Sequence, residues 1–177
     1  ERLLAETGMD GRIIVLDAVT RADSVSERFD GYELYELGSE GDAHFSIVNA
    51  SSRNTADIPV ARGDWFIATS WWSAYCYQSE YGVHFSRGDL EMNPLIYLIQ
   101  DYEPGFYAWC SNYLLARSTY TSSTPVVAVF NSSELRQYFF ERGFRFESEF
   151  SFDPMLNDKL KENYNRHQDY TQRLEQA

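Results

Sequence analysis

Five short apolar runs, separated by polar or helix-patterned stretches, constrain this chain more than any other feature. They are Arg12–Asp17 (RIIVLD), His44–Asn49 (HFSIVN), Asp64–Thr69 (DWFIAT), Pro94–Gln100 (PLIYLIQ) and Pro125–Phe130 (PVVAVF). Runs this short that do not alternate with polar residues read as parallel strands buried on both faces. Proline opens two of them, a position where no ladder donor is needed. The segments between carry helix signals. Ser70 is placed to cap a helix over Trp71–Gln78. Trp109, Tyr113, Ala116 and Tyr120 fall on one face of a helix over Trp109–Tyr120. Asn131 is placed as the cap of a third helix, with Glu134 three residues on. Leu135, Tyr138 and Phe139 are its inner stripe, and Gly143 its end. Phe144–Phe150 alternates Phe with charge, as a half-exposed strand does. Near the start, Gly8 is placed to close a helical end, and a short helix is expected around Asp23–Phe29. The alternation predicts an α/β fold, a Rossmann-like and mostly parallel sheet flanked by helices.

Right-handed crossovers gather the loops that follow parallel strands on one edge, and ligands of open α/β sheets bind there. The positions to examine are therefore Asp17, Asn49, Thr69–Trp72, Gln100–Glu103 and Asn131–Ser133. The densest group is Gln100-Asp101-Tyr102-Glu103-Pro104-Gly105-Phe106-Tyr107, directly after the strongest strand. Asp101 and Glu103 can accept hydrogen bonds from hydroxyls or act as a base. Asp101 can equally well bind backbone amides in its own turn. Trp71 and Trp72 are about 100° apart on a helix, so they cannot share a face. Either one packs inward while the other faces the cleft, or both are packed. Asn131-Ser132-Ser133 is accounted for as a helix cap.

Fifteen Lys and Arg against 27 Asp and Glu give a net charge of −12. Such a surface repels phosphate backbones and anionic lipid, which argues against a nucleic-acid partner. The longest apolar run is far short of the ~20 residues that span a bilayer. Cys76 and Cys110 lie among apolar and aromatic neighbours and are expected in the core. His44, His84 and His167 are isolated, so no metal site is predicted. Phosphate loops, zinc-protease and nucleophile-elbow motifs are absent from the sequence. Aromatic content, at 16%, is high. Tyr and Trp fill cores, and they also line sites with one apolar and one polar side.

Three stretches together carry a family resemblance: Asp64–Tyr75 (DWFIATSWWSAY), Tyr97–Tyr107 (YLIQDYEPGFY) and Tyr113–Tyr120 (YLLARSTY), with Val129–Leu135 (VFNSSEL) fitting as well. They resemble the N-terminal domain of WsaF-like rhamnosyltransferases, which are GT-B glycosyltransferases of surface-glycan assembly. The likeness covers residues 1–155 and is strongest over 63–135.

The resemblance implies the acceptor-side half of a two-domain enzyme. That enzyme would move a hexosyl or rhamnosyl unit from a nucleotide sugar to a growing surface glycan. Retention of configuration, no metal and no cofactor beyond the donor substrate are implied, as is work in the cytoplasm at the inner face of a bacterial membrane. Asp101 and Glu103 would be catalytic. Gln100, Tyr102, Thr69, Trp71 and Trp72 would border the substrates.

On this reading residues 1–155 form the Rossmann-like domain, and 156–177 are a polar helical connector toward an absent donor-binding domain. The first strand of the sheet is also expected to be missing. A second copy would then be one way to cover the exposed edge beside Arg12–Asp17. The competing reading is a non-catalytic α/β module that recognises glycan or protein through an aromatic edge.

Overall fold

The computed structural model describes residues 6–16, 20–21, 27, 29, 31–39, 41–50, 58–82, 93–153 and 160–161. Its described strands are all parallel and lie in two sheets, so the architecture is α/β. The chain divides into two compact units, Glu1–Arg62 and Gly63–Ala177.

In the first unit, β1 (Gly11–Val15), β2 (Glu33–Glu36) and β3 (Phe45–Asn49) form a three-stranded sheet in the order β1-β3-β2. The register runs from Gly11 opposite Phe45 to Val15 opposite Asn49. Only β3 is central, and it alone is buried as a parallel strand should be. The Arg12–Asp17 run, expected to be buried, is an edge strand with Ile13 exposed. Apolar content signals a strand but not its place in the sheet. β2 (ELYE) was not expected, because its two glutamates hide the pattern. Buried Asn49 ends β3 and is fully engaged. Its Oδ1 accepts the Thr20 N–H at 2.8 Å, and its Nδ2 donates to Glu36 Oε1 at 2.8 Å and to the Thr20 carbonyl at 3.1 Å. Gly8, at φ 66°, follows the helical Glu6 and Thr7, as expected of a C-cap. Asp17 and most of the helix sought near Asp23–Phe29 lie outside the described residues.

In the second unit, β4 (Ile67–Ala68), β5 (Leu95–Ile99), β6 (Val126–Phe130) and β7 (Ser148–Ser151) pair in sequence order. Helices α1 (Trp71–Glu80), α2 (Ser111–Ser118) and α3 (Ser133–Glu141) connect or follow them. A sheet that always grows in one direction by right-handed crossovers puts its helices on one face. The burial pattern agrees. Leu95, Tyr97, Ile99, Val126, Ala128 and Phe130 share a core with Ala74 and Tyr77 of α1, Phe139 of α3, and the loop residues Tyr120 and Phe144. Ile96, Leu98, Val127 and Val129 point to the other face and are half-buried.

Local chemistry explains where these elements begin and end. Ser132, not Asn131, caps α3, and its Oγ accepts the Leu135 N–H at 3.1 Å. Asn131 is the last residue before the cap and turns its amide elsewhere. Gly143 stops α3 at φ 81°, a conformation with no steric penalty only for glycine. α2 starts at Ser111, so Trp109 precedes the helix and is 77% exposed instead of joining its buried face. Cys110 is the N-cap of α2 and exposed, and Cys76 is half-buried, so neither is a core residue. Of the polar tail expected over 156–177, only the helical Leu160 and Lys161 are among the described residues.

Candidate functional site

The carboxyl ends of β4 to β7 are stitched side to side by polar side chains. Gln100 Nε2 donates to the Thr69 carbonyl at 3.2 Å. Asn131 Nδ2 donates to the Gln100 carbonyl at 3.0 Å. Ser133 Oγ donates to Asp153 Oδ1 at 3.3 Å. Each strand end therefore fixes the next, and the edge where ligands bind in such sheets is held in place before any ligand arrives. Thr69 is exposed, and its N–H donates to Ser73 Oγ at 3.2 Å, as does the N–H of Ser70.

The segment after β5 is a turn followed by one 3-10 turn, Glu103–Phe106. Asp101 is exposed and its Oδ1 accepts the Tyr102 N–H at 2.7 Å, so the turn-binding role does occur. Glu103, two residues on, points the other way. Its Oε2 accepts the Tyr97 hydroxyl at 3.1 Å and the Tyr120 hydroxyl at 3.5 Å, and the Trp71 backbone N–H also donates to its carboxylate. Burial pushes the Glu103 carboxyl above the usual carboxylate value, and the Asp101 charge adds to this. The three hydrogen bonds pull it back. Burial raises the phenols of Tyr97 and Tyr120 as well, so both remain donors.

A second bond closes the other end of the 3-10 turn, where Trp71 Nε1 donates to Tyr107 Oη at 3.0 Å. Trp71 thus ties Glu103 and Tyr107 to the start of α1. It is buried, while Trp72 beside it is 47% exposed. The two tryptophans therefore divide inward and outward, the first of the two arrangements their spacing left open.

Asp101, Tyr102, Gly105 and Phe106 form one wall of a shallow cleft of about 470 Å³. Glu134, Leu135 and Tyr138 of α3 form the other. Tyr102 is half-buried, with its ring 5.5 Å from that of Tyr138 and 5.7 Å from that of Phe139. Glu134 sits on the first turn of α3, where its own backbone N–H and the Ser132 and Ser133 hydroxyls lower its carboxyl. The lining described carries two carboxylates, and the Arg142 guanidinium lies 3.6 Å from the centre of the Tyr138 ring beside it.

Of the residues singled out from sequence, Asp101 and Tyr102 line this cleft. Gln100 and Thr69 stand on the same edge, and Trp71 lies behind the 3-10 turn. Glu103 faces the core side of that turn. Sequence reasoning did not single out Phe106 and Glu134 as site residues; Leu135 and Tyr138, read as the inner stripe of α3, do pack against the core and line the cleft as well. A helix that starts just after a strand end must present its first turns to the ligand edge, and that signal was available. Among the described residues, no three His, Cys, Asp or Glu side chains are grouped to hold a metal. His44 is paired with Asp10 at 2.5 Å on the surface of the first unit, and His84 and His167 lie outside the described residues.

No described helix is long and apolar enough to cross a membrane. No curated protein sequence gives a significant match to the chain. A family model described as WsaF, N-terminal domain, does match, over residues 1–133. That span takes in β1 to β6, the Trp71-Trp72 pair, the whole 100–107 segment and the start of α3. With residues 1–133 of 177 matched, the chain belongs to the family of WsaF N-terminal domains, a glycosyltransferase-related group.

Proposed function

We propose that this domain forms the acceptor side of a glycosyltransferase. The enzyme moves a hexosyl or rhamnosyl unit from a nucleotide sugar to a growing surface glycan, with retention and without a metal, at the inner face of the bacterial membrane. The nucleotide is held mainly by a second domain. The observation that carries this reading is the exposed Asp101 carboxylate at a cleft on the carboxyl edge of a parallel sheet, in a chain of this family. The acid-lined cleft suits hydroxyl donors and repels a diphosphate. Asp101 accepts a hydroxyl of the acceptor or of the transferred sugar, with Gln100, Thr69, Tyr102 and Trp72 around it. Glu103 acts through Trp71, Tyr97 and Tyr120, which hold the 3-10 turn that carries the cleft wall.

The test is a transfer assay on the gene product that includes a donor-binding domain, using a panel of nucleotide sugars and glycan acceptors. Asp101→Asn keeps size and removes charge, so the fold is retained and the rate drops roughly 10²–10³-fold. Near-normal turnover of Asp101→Asn at saturating substrates removes Asp101 from the site. The 177-residue chain alone is expected to transfer nothing, and turnover by it would overturn the division of labour. If the gene product transfers no sugar yet binds glycan, the domain is a binding module.

A further inference from the structure

Trp109 is the most exposed large apolar side chain among the described residues, at 77%. An indole left in water forgoes a large burial gain. Its ring is not loose, because Tyr113, one helical turn on, packs against it at 5.0 Å with the planes 42° apart. The indole is thus braced at one contact while most of it stays open to solvent. Phe106, 63% exposed, stands three residues earlier and already lines the Asp101 cleft. Three residues of chain reach about 10 Å at most, the span of a short oligosaccharide.

We propose that Trp109 is a stacking platform that extends the Asp101 cleft into a strip for an oligosaccharide of neutral pyranoses. Tyr113 joins the two, since it packs against Trp109 and shares a side-chain hydrogen bond with Tyr102, which lines the cleft. Pyranose rings have one apolar face to set on an indole, and their hydroxyls meet the carboxylates of Asp101 and Glu134. The charge of the molecule favours this ligand over the obvious alternatives. At −12, with Asp101 and Glu134 on the cleft lining and the nearby Arg142 guanidinium engaged 3.6 Å over the Tyr138 ring, the surface disfavours phosphate-bearing and anionic-lipid partners. The inference rests on the transferase reading and deepens it, since it makes the acceptor a chain of sugars and assigns Trp109 to reading its length.

The test reads binding to the 177-residue chain and needs no transfer. Neutral rhamno- and gluco-oligosaccharides of one to four units are titrated by saturation-transfer NMR and tryptophan fluorescence. Affinity is expected to rise with length. Trp109→Ala, a surface change that spares the core, should weaken the trisaccharide roughly 5- to 10-fold and leave the monosaccharide unchanged, with Trp109→Phe recovering part of the loss. No binding of any of these sugars, or length dependence that survives Trp109→Ala, overturns the proposal. So does a Trp109 response to phosphatidylcholine vesicles in place of sugars, or dimerisation that Trp109→Ala abolishes. If the chain binds oligosaccharide through Trp109 and the gene product transfers nothing, the transferase reading fails alone. If the gene product transfers with no dependence on Trp109, this inference fails alone.

Discussion

Asp101 and Glu103 are two residues apart and have opposite surroundings. Asp101 is in water at the cleft, whereas Glu103 is half-buried under three donors. The Glu103 carboxyl titrates higher in the folded chain than in the unfolded one. Folding therefore favours its protonated form, and its contribution declines as pH rises through the range just above the ordinary value of 4.5. Glu134 has the opposite sign. Its folded value is lowered, so its contribution is present above 4.5 and is lost as pH falls through the lower value. Urea unfolding should show Glu103→Gln gaining on the parent as pH rises from about 4 to 7, and Glu134→Gln losing ground as pH rises from about 2.5 to 5. A constant gap for Glu103→Gln would mean that its carboxylate is not held in this environment.

At the level of elements, α3 forms one wall of the cleft, and two residues define it. Ser132→Ala removes the cap acceptor and should cost about 1 kcal/mol. Gly143→Ala places a Cβ in open space but forces it into the left-handed region, at a cost of about 1–2 kcal/mol. Chemical denaturation of both variants checks these values, and a neutral Gly143→Ala would show that α3 ends differently.

The legibility of the elements follows the same physics. Leu95–Ile99 and Val126–Phe130 are uninterrupted β-branched and apolar runs, so pattern alone located them. Ile67–Ala68 was located too, though the ladder there is shorter than the apolar run around it. Glu33–Glu36 was illegible, because an edge strand needs little apolar surface. The site was legible as an edge, since strand ends fix where loops collect. It was not legible as a cleft, because the side of a turn to which Asp101 or Glu103 points depends on Tyr97, Tyr120 and Trp71, each from a different segment. Trp109 was misplaced because α2 begins two residues later than expected, at Ser111.

Among the described residues, the two units have core clusters of unequal size. The second has twelve buried residues in one cluster, from Ala68 to Phe144. Among the described residues, the first has a cluster of Leu37, Val48 and Ala50, with Ile14, Leu16, Tyr35 and Ile58 beside them. Apolar burial is the main favourable term in stability, so local opening should be cheaper in the first unit. Native-state hydrogen exchange should find the slowest amides in Leu95–Ile99 and Val126–Phe130, and faster exchange throughout Gly11–Val15. Equal protection of the two sheets would contradict this ranking.

The order β4-β5-β6-β7 also bears on how the molecule is made. Every pairing in that sheet joins a strand to the next one synthesised, so no strand waits for a partner from a distant part of the chain. Each new strand, with the helix before it, can dock as it leaves the ribosome, and the side chain after it then secures the preceding strand end. Gln100 can bond Thr69 only after β5 is laid down, and Asn131 can bond Gln100 only after β6. The ligand edge is thus assembled from one side to the other in the order of translation, and the loop closures involved are short ones of low entropic cost.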